Sequence, residues 1–310
     1  MADPQIVDAH HHIWRLERTP WLVGPPVPRI FGSYDALRRD YLIEEYAADA
    51  GPLGVTASVH VQANVAPGAE VDEVAWAASC GARAGLVQGV VGFADLSAPD
   101  VGDTLDRQLA VSALRGIRQQ LHWHPDPALS YAPGPREMLR PEWQRGLRET
   151  TDRGLLFELQ VFPHQYDDAI RLVDRFPDTT FVLLHAGMPH DPSPDGVDAW
   201  RQGLGRFAAR HNVFVKLSGL GTFTRRCRVD EWRPVIEATV DAFGPDRCMF
   251  GSNFPVEKLW TSYANLLAVF RASLERCSEP EQGQILHDVA LRVYRLEDAS
   301  ERSSQTTPRR

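Results

Sequence analysis

"LLFELQVFPHQYDDAIRLVDRFPDTTFVLLHAG", residues 155–187, changes its hydrophobic period twice. "LLFELQVF" is short, apolar and aromatic, the pattern of a strand covered on both faces. "YDDAIRLVDRF" then repeats its apolar residues at the i, i+3, i+4 spacing of a helix with one buried stripe. Pro177 and Asp178 stop that helix, and "TTFVLLHAG" returns to a buried strand. Strand, helix, strand with short connections is a parallel unit.

The same alternation runs the length of the chain. Strand-like runs recur at "QIVDAHH", "VTASVHVQ", "VQGVVGFADL", "LRGIRQQL", "VFVKLSGL" and "RCMFGSNF", which with the two above makes eight. Helical stretches such as "EVDEVAWAASCGARAG", "EWQRGLRETTDRG" and "VDAWRQGLGRFAARH" lie between them, with Gly85, Gly154 and Asn212 as stops. Eight βα units predict an α/β protein with a closed (β/α)8 TIM barrel. No G-x-G-x-x-G follows any strand, which argues against an open nucleotide-binding sheet. Residues 1–298 are read as one barrel domain. Residues 299–310, "ASERSSQTTPRR", are read as a loose tail too polar to bury.

A chain of 310 residues, 43% hydrophobic and 24% charged, is an ordinary globular composition. Its formal charge of -8 and lack of a basic stripe argue against nucleic acid as a partner. Cys80, Cys227, Cys248 and Cys277 show no paired spacing and read as reduced thiols. With no apolar leader and no run of about 18 apolar residues, the reading is a cytoplasmic protein without a membrane partner. The Pro- and aromatic-rich segment 15–34 is expected to cover the site or to form a homodimer contact.

In a (β/α)8 barrel every strand points its C-terminal end at one mouth, where chemistry is carried out. The polar residues of these strands gather at those ends: His10 and His12, Gln62, Asp95, Arg118 and Gln120, Glu158 and Gln160, His185, Lys216 and Ser218, Ser252 and Asn253. The opening motif is "VDAHHHIW", residues 7–14. Alternation along a strand sends His10 and His12 into the mouth and His11 toward the helices. Two imidazoles at this spacing, with His185, supply three nitrogens for one divalent ion, zinc by donor type. The alternative is a metal-independent site in which the same rings hydrogen-bond the substrate.

Taken with "RGIRQQLHW", "LLFELQVFPHQ", "FVLLHAGMP", "VFVKLSGL", "RCMFGSNFP" and "ALRVYRL", this motif resembles the lactonase-like branch of the amidohydrolase superfamily, amidohydrolase family 2, over nearly the whole chain. The resemblance implies a (β/α)8 barrel that hydrolyses a carbonyl-centred bond, with sugar lactones and pyrone dicarboxylate among the relatives' substrates. It also exposes a departure. Relatives end the eighth strand with G-S-D-x-P, whose aspartate is a metal ligand, a general base or both, whereas this chain has Asn253 in "GSNFP". An amide accepts no proton at neutral pH, so the base must be another group, with Glu158, Glu257, His164 and His185 as candidates.

The remaining polar residues have expected roles as well. Arg118 offers planar two-point recognition of a carboxylate or carbonyl, or else a salt bridge to Glu158 or Asp95. Gln120, His122 and Trp123 follow it as substrate contacts or wall, and Arg225 sits in a basic loop after the seventh strand that grips substrate or is simply solvated. Lys216 is placed to stabilise an oxyanion, or to neutralise a barrel carboxylate. His164, aimed by Pro163, is placed against the metal or leaving group. The expectation is a small-molecule hydrolase opening a lactone, catalysed by Glu158, Lys216, Asn253 and His164. The rivals are a metal-dependent decarboxylase or oxygenase on the same barrel and a non-catalytic binding relic.

Overall fold

A computed structural model describes residues 5–298; the expected tail, 299–310, lies outside the described residues. Eight parallel strands run in chain order around a nearly closed barrel: β1 Ile6–His11, β2 Val55–Val61, β3 Val87–Gly92, β4 Leu114–Ile117, β5 Leu156–Leu159, β6 Phe181–Leu183, β7 Val213–Leu217 and β8 Cys248–Phe250. The ring is joined just past β8. Asn253 N donates to His10 O at 2.7 Å and His12 N to Phe254 O at 2.7 Å, with a parallel bridge between His11 and Phe254. The (β/α)8 barrel expected from the alternation is the fold observed.

The quoted unit shows why. Helix Tyr166–Arg175 buries Tyr166, Ala169, Ile170 and Val173 on one face, and Phe157 and Leu159 of β5 with Phe181 and Leu183 of β6 pack in the same layer beneath it. The alternate residues Leu156, Val182 and Leu184 turn into the barrel, where they meet Val7, Val59 and Met249. The C-terminal helix Val289–Tyr294 inserts Val289, Ala290 and Tyr294 into this inner cluster. Gly85 ends its helix in the left-handed region at φ 70, where a Cβ would be strained. Asn212 works differently from a glycine-type stop: its Nδ2 donates to the carbonyls of Phe176 and Thr179.

One irregularity bears directly on the site. Asp8 pairs with Ser58 and His11 with His60, so β1 carries one more residue than β2 across that interval. Strict alternation would put Asp8 and His10 on one face. The extra residue reverses the phase between them, as β-bulges do beside functional sites. Asp8 faces the helices, accepting from Ser252 Oγ (2.6 Å), Ser252 N (2.8 Å), Tyr46 OH (2.9 Å), Tyr263 OH (2.9 Å) and His10 N (3.1 Å). His10 faces the barrel.

The four cysteines are free thiols. No helix among the described residues is long and apolar enough to cross a membrane.

Candidate active site at the barrel mouth

His10, His12 and His185 converge. The ring centroid of His10 lies 5.1 Å from that of His12 and 5.0 Å from that of His185. His11 turns away and stacks on Tyr46 of helix Ile43–Ala50 at 3.8 Å. Burial holds the His10 pKa well below the ordinary imidazole value, reinforced by the charge of Lys216; burial and then Arg118 do the same at His12. His185 is pushed down to about 3 by burial and by Arg118. All three rings are therefore neutral near pH 7, the form that offers a lone pair.

Their orientations are set from behind. His12 Nδ1 lies 2.7 Å from the carbonyl of Val61 and so carries the proton, leaving Nε2 for the pocket. His185 Nδ1 is 3.0 Å from Ser218 Oγ. His185 itself has φ 55, and Ala186 φ 50; Trp200 Nε1 donates to Ala186 O at 2.7 Å and Tyr166 OH to Gly187 O, which pins this left-handed turn. Asn64, Met188 and Asn253 also have positive φ, and all three line the same pocket as His185. Such conformations cost about 1–3 kcal/mol each for a non-glycine residue and concentrate where side chains must be aimed.

Gly219 makes room for His185. At φ +59, a Cβ there would lie 2.5 Å from His185 Nδ1. Gly219→Ala is expected to destabilise the protein by about 1–3 kcal/mol and, by displacing the ring, to lower kcat/KM by at least about tenfold. Thermal melts with initial rates check this; unchanged values for both would show that the ring is not held from this side.

The mouth pocket spans about 820 Å³, counting the space open to solvent. Its polar lining includes His12, Gln62, Arg118, Gln120, His122, Gln160, His185 and Asn253, all drawn from strand ends. Trp14, Trp21, Phe31 and Tyr131 form aromatic walls. No Asp or Glu among the described residues lines it. His10, expected at the mouth, is fully buried behind His12 and His185 and is not part of the lining; both its ring nitrogens lack a hydrogen-bond partner, as does Nδ1 of His122. No three His, Cys, Asp or Glu side chains among the described residues are already gathered into a cation cage. The His10 orphans nonetheless fit a metal set made of three imidazoles, with Asn253 in place of a fourth, carboxylate donor.

Several residues expected at the mouth lie elsewhere. Glu158 and Lys216 do not line the pocket: Lys216 Nζ donates to Glu158 Oε1 at 2.5 Å, as does Tyr294 OH at 2.6 Å, and both charged residues are fully buried. They precede Gln160 and Ser218 by two positions on the same strand faces, which puts them one layer deeper, roughly 6–7 Å along the strand. His164 is on the surface, its Nε2 2.8 Å from the carbonyl of Trp123, and neither residue reaches the pocket. Arg225 packs against Gly32 of segment 15–34, outside the lining. Arg118 makes no salt bridge to Glu158 or Asp95; its Nη2 donates to Gln62 O at 2.7 Å.

Glu257, a candidate base from the sequence, does not line the pocket: it is fully buried and accepts from Trp260 Nε1 at 2.6 Å, and burial pushes its pKa up to about 8. Two lining residues were not singled out from sequence. Arg29 and Tyr131 line the pocket from long loops whose reach no local pattern encodes. The one available signal for Arg29 was its place in the Pro-rich segment that follows the first strand.

The sequence model of the amidohydrolase family matches residues 7–296, from Val7 beside the histidine motif to the C-terminal helix. The chain belongs to this amidohydrolase family. Among its relatives, an uncharacterised protein of Sinorhizobium fredii is 37% identical over 298 residues, covering 96% of this chain and 100% of that one. An L-fucono-1,5-lactonase of Burkholderia multivorans is 29% identical over 306 residues, covering 95% and 97%. The crystal structure of an amidohydrolase from Burkholderia multivorans with bound zinc superposes with a TM-score of 0.80 at 28% identity, covering 94% of this chain and 100% of that one. Amidohydrolases of this family act on small molecules, in keeping with a pocket of this size.

Proposed function

We propose that this amidohydrolase opens a lactone or similar cyclic ester of a small, oxygen-rich or carboxylated molecule by attack of water at the barrel mouth. The observation that carries the reading is the set of three converging, neutral imidazoles, of which His12 and His185 line the mouth pocket beside Asn253 and His10 lies buried against both. End-to-end similarity to an L-fucono-1,5-lactonase supports the choice of bond.

His10, His12 and His185 are the residues that would hold a divalent ion, zinc by donor type and by the zinc-bound relative. When bound, such an ion supplies Lewis-acid polarisation of the carbonyl and lowers the pKa of water. The chain's own groups do the rest. Asn253, fixed by its backbone bond to β1, presents an amide that orients the attacking water. Arg118 and Gln160 position the ring. With no carboxylate among the described lining residues, the lone pairs that face the water are imidazole nitrogens, and His122, with Nδ1 unpartnered, offers one outside the three-histidine set.

A panel of sugar-derived and aromatic-derived lactones followed with a pH indicator tests this, because each opening releases a proton. The expected result is turnover of at least one member, with about one equivalent of metal by elemental analysis and loss of activity on chelation. No opening of any lactone, with carbon dioxide released from an aromatic acid instead, would replace the lactonase reading with a decarboxylase. Less than about a tenth of an equivalent of metal, with activity intact after chelation, would leave the histidines as hydrogen-bonding groups.

A further inference from the structure

We propose that the mouth pocket selects an anionic substrate, a ring bearing a carboxylate held between Arg29 and Arg118, and that Arg29 sets this preference. The proposal rests on the lactonase reading for the bond that is broken, but the preference for charge stands on separate observations.

The first is the charge inventory. Among the described residues lining it there are two guanidinium groups, Arg29 and Arg118, and no carboxylate. A pocket with two positive charges in a chain of net charge -8 runs against the protein's average, which concentrates an attractive field for anions in one cleft.

The second is the state of the two arginines. The Arg29 side chain makes no hydrogen bond or ion pair with any described residue, and its Nε is buried without a partner. Its guanidinium carbon sits 5.5 Å from the centre of the Tyr131 ring and 5.9 Å from that of Trp21. Arg39, by contrast, is bidentate to Glu45, and Arg38 donates to the carbonyls of Gly24 and Val23. Two rings thus hold Arg29 in place while its donors are left over. Arg118 is 3% exposed, and beyond the bond from Nη2 to Gln62 O its Nε is also unpartnered. A buried guanidinium with no carboxylate in hydrogen-bond contact is costly, and an incoming carboxylate reduces that cost.

The third is convergence. Arg29 lies over the Tyr131 ring, and it lines the same pocket as Arg118, His122 and Tyr131. A carboxylate placed there takes charge-assisted, planar hydrogen bonds from two directions, while Trp14, Trp21 and Tyr131 offer flat walls to the attached ring. Ring opening then adds one water across the ester, giving a second carboxylate, a hydroxyl and a proton released to solvent.

The test separates binding from hydrolysis. Tetrahydrofuran-2-carboxylate and its neutral amide are ring probes that cannot be opened, and their affinities can be measured calorimetrically for the full chain and for Arg29→Gln and Arg29→Lys. The carboxylate is expected to bind at least about tenfold more tightly than the amide, with a preference that weakens in high salt. That ratio should fall at least about fivefold in Arg29→Gln and be partly retained in Arg29→Lys. Equal affinity for the two probes, binding of neither, or an unchanged ratio in Arg29→Gln overturns the proposal. A clear carboxylate preference in a protein that opens no lactone would instead refute the lactonase reading and leave the anion site standing.

Discussion

Replacing His10 by leucine is expected to make the metal-free protein more stable and nearly inactive. The His10 ring is completely buried, touches the rings of His12 and His185, and has neither nitrogen hydrogen-bonded. An unsatisfied buried polar atom costs about 1–3 kcal/mol, and an apolar side chain of similar volume removes that penalty. The expected gain is about 1–2 kcal/mol, or a rise of a few degrees in Tm for a domain of this size. The same change deletes the central member of the nitrogen set, with an expected fall in kcat/KM of at least about 10²-fold and a lower metal content. Melting in chelator together with rates on the best lactone checks both signs. A drop in Tm with activity kept would make His10 an ordinary packing residue, whereas opposite movements are the signature of a site maintained at the expense of the fold.

Lys216→Met is the second large expectation, and its sign on stability is reversed. It leaves the Glu158 carboxylate inside the barrel with only Tyr294 OH as a donor. Removing one member of a buried pair costs about 3–5 kcal/mol because the remaining charge is uncompensated. Burial already outweighs the attraction of Glu158 and holds the Lys216 pKa below the usual lysine value, so the pair has little electrostatic surplus. The double replacement Lys216→Met with Glu158→Leu should recover most of the loss, since no lone charge remains. Denaturant unfolding of the two singles and the double measures the coupling. Because the pair lies a layer below the pocket, kcat/KM of the folded single variant is expected to change by less than about fivefold. A loss of about 10³-fold with unchanged stability would return Lys216 to the catalytic role its position at the end of β7 suggested.

The contrast between these residues shows what a sequence pattern encodes. His12, Gln62, Arg118, Gln120, Gln160, His185 and Asn253 were placed at the mouth from strand ends, and each lines the pocket. Glu158 and Lys216 satisfied the same criterion, two residues earlier on the same faces. Alternation identifies the face of a strand but not the depth along it, because depth depends on how neighbouring strands are staggered. Trp123, His164 and Arg225 lie on loops, whose paths follow from packing of the surrounding helices and not from any local period.

The amino-acid sequence alone was sufficient for the order of strands and helices, the barrel, the family and the histidine motif, since these follow from apolar periodicity, turn residues and short motifs, all of which act within a few residues. The folded structure decided three things. The extra residue in β1 sends Asp8 to the helices and His10 into the barrel interior, a matter of register against β2. The barrel stagger buries Glu158 and Lys216 as a pair. Segment 15–34 carries Arg29 to the rim beside Tyr131, a residue about a hundred positions away in the chain. Each depends on contacts between distant segments, and the energy of such contacts is written in no single stretch of sequence.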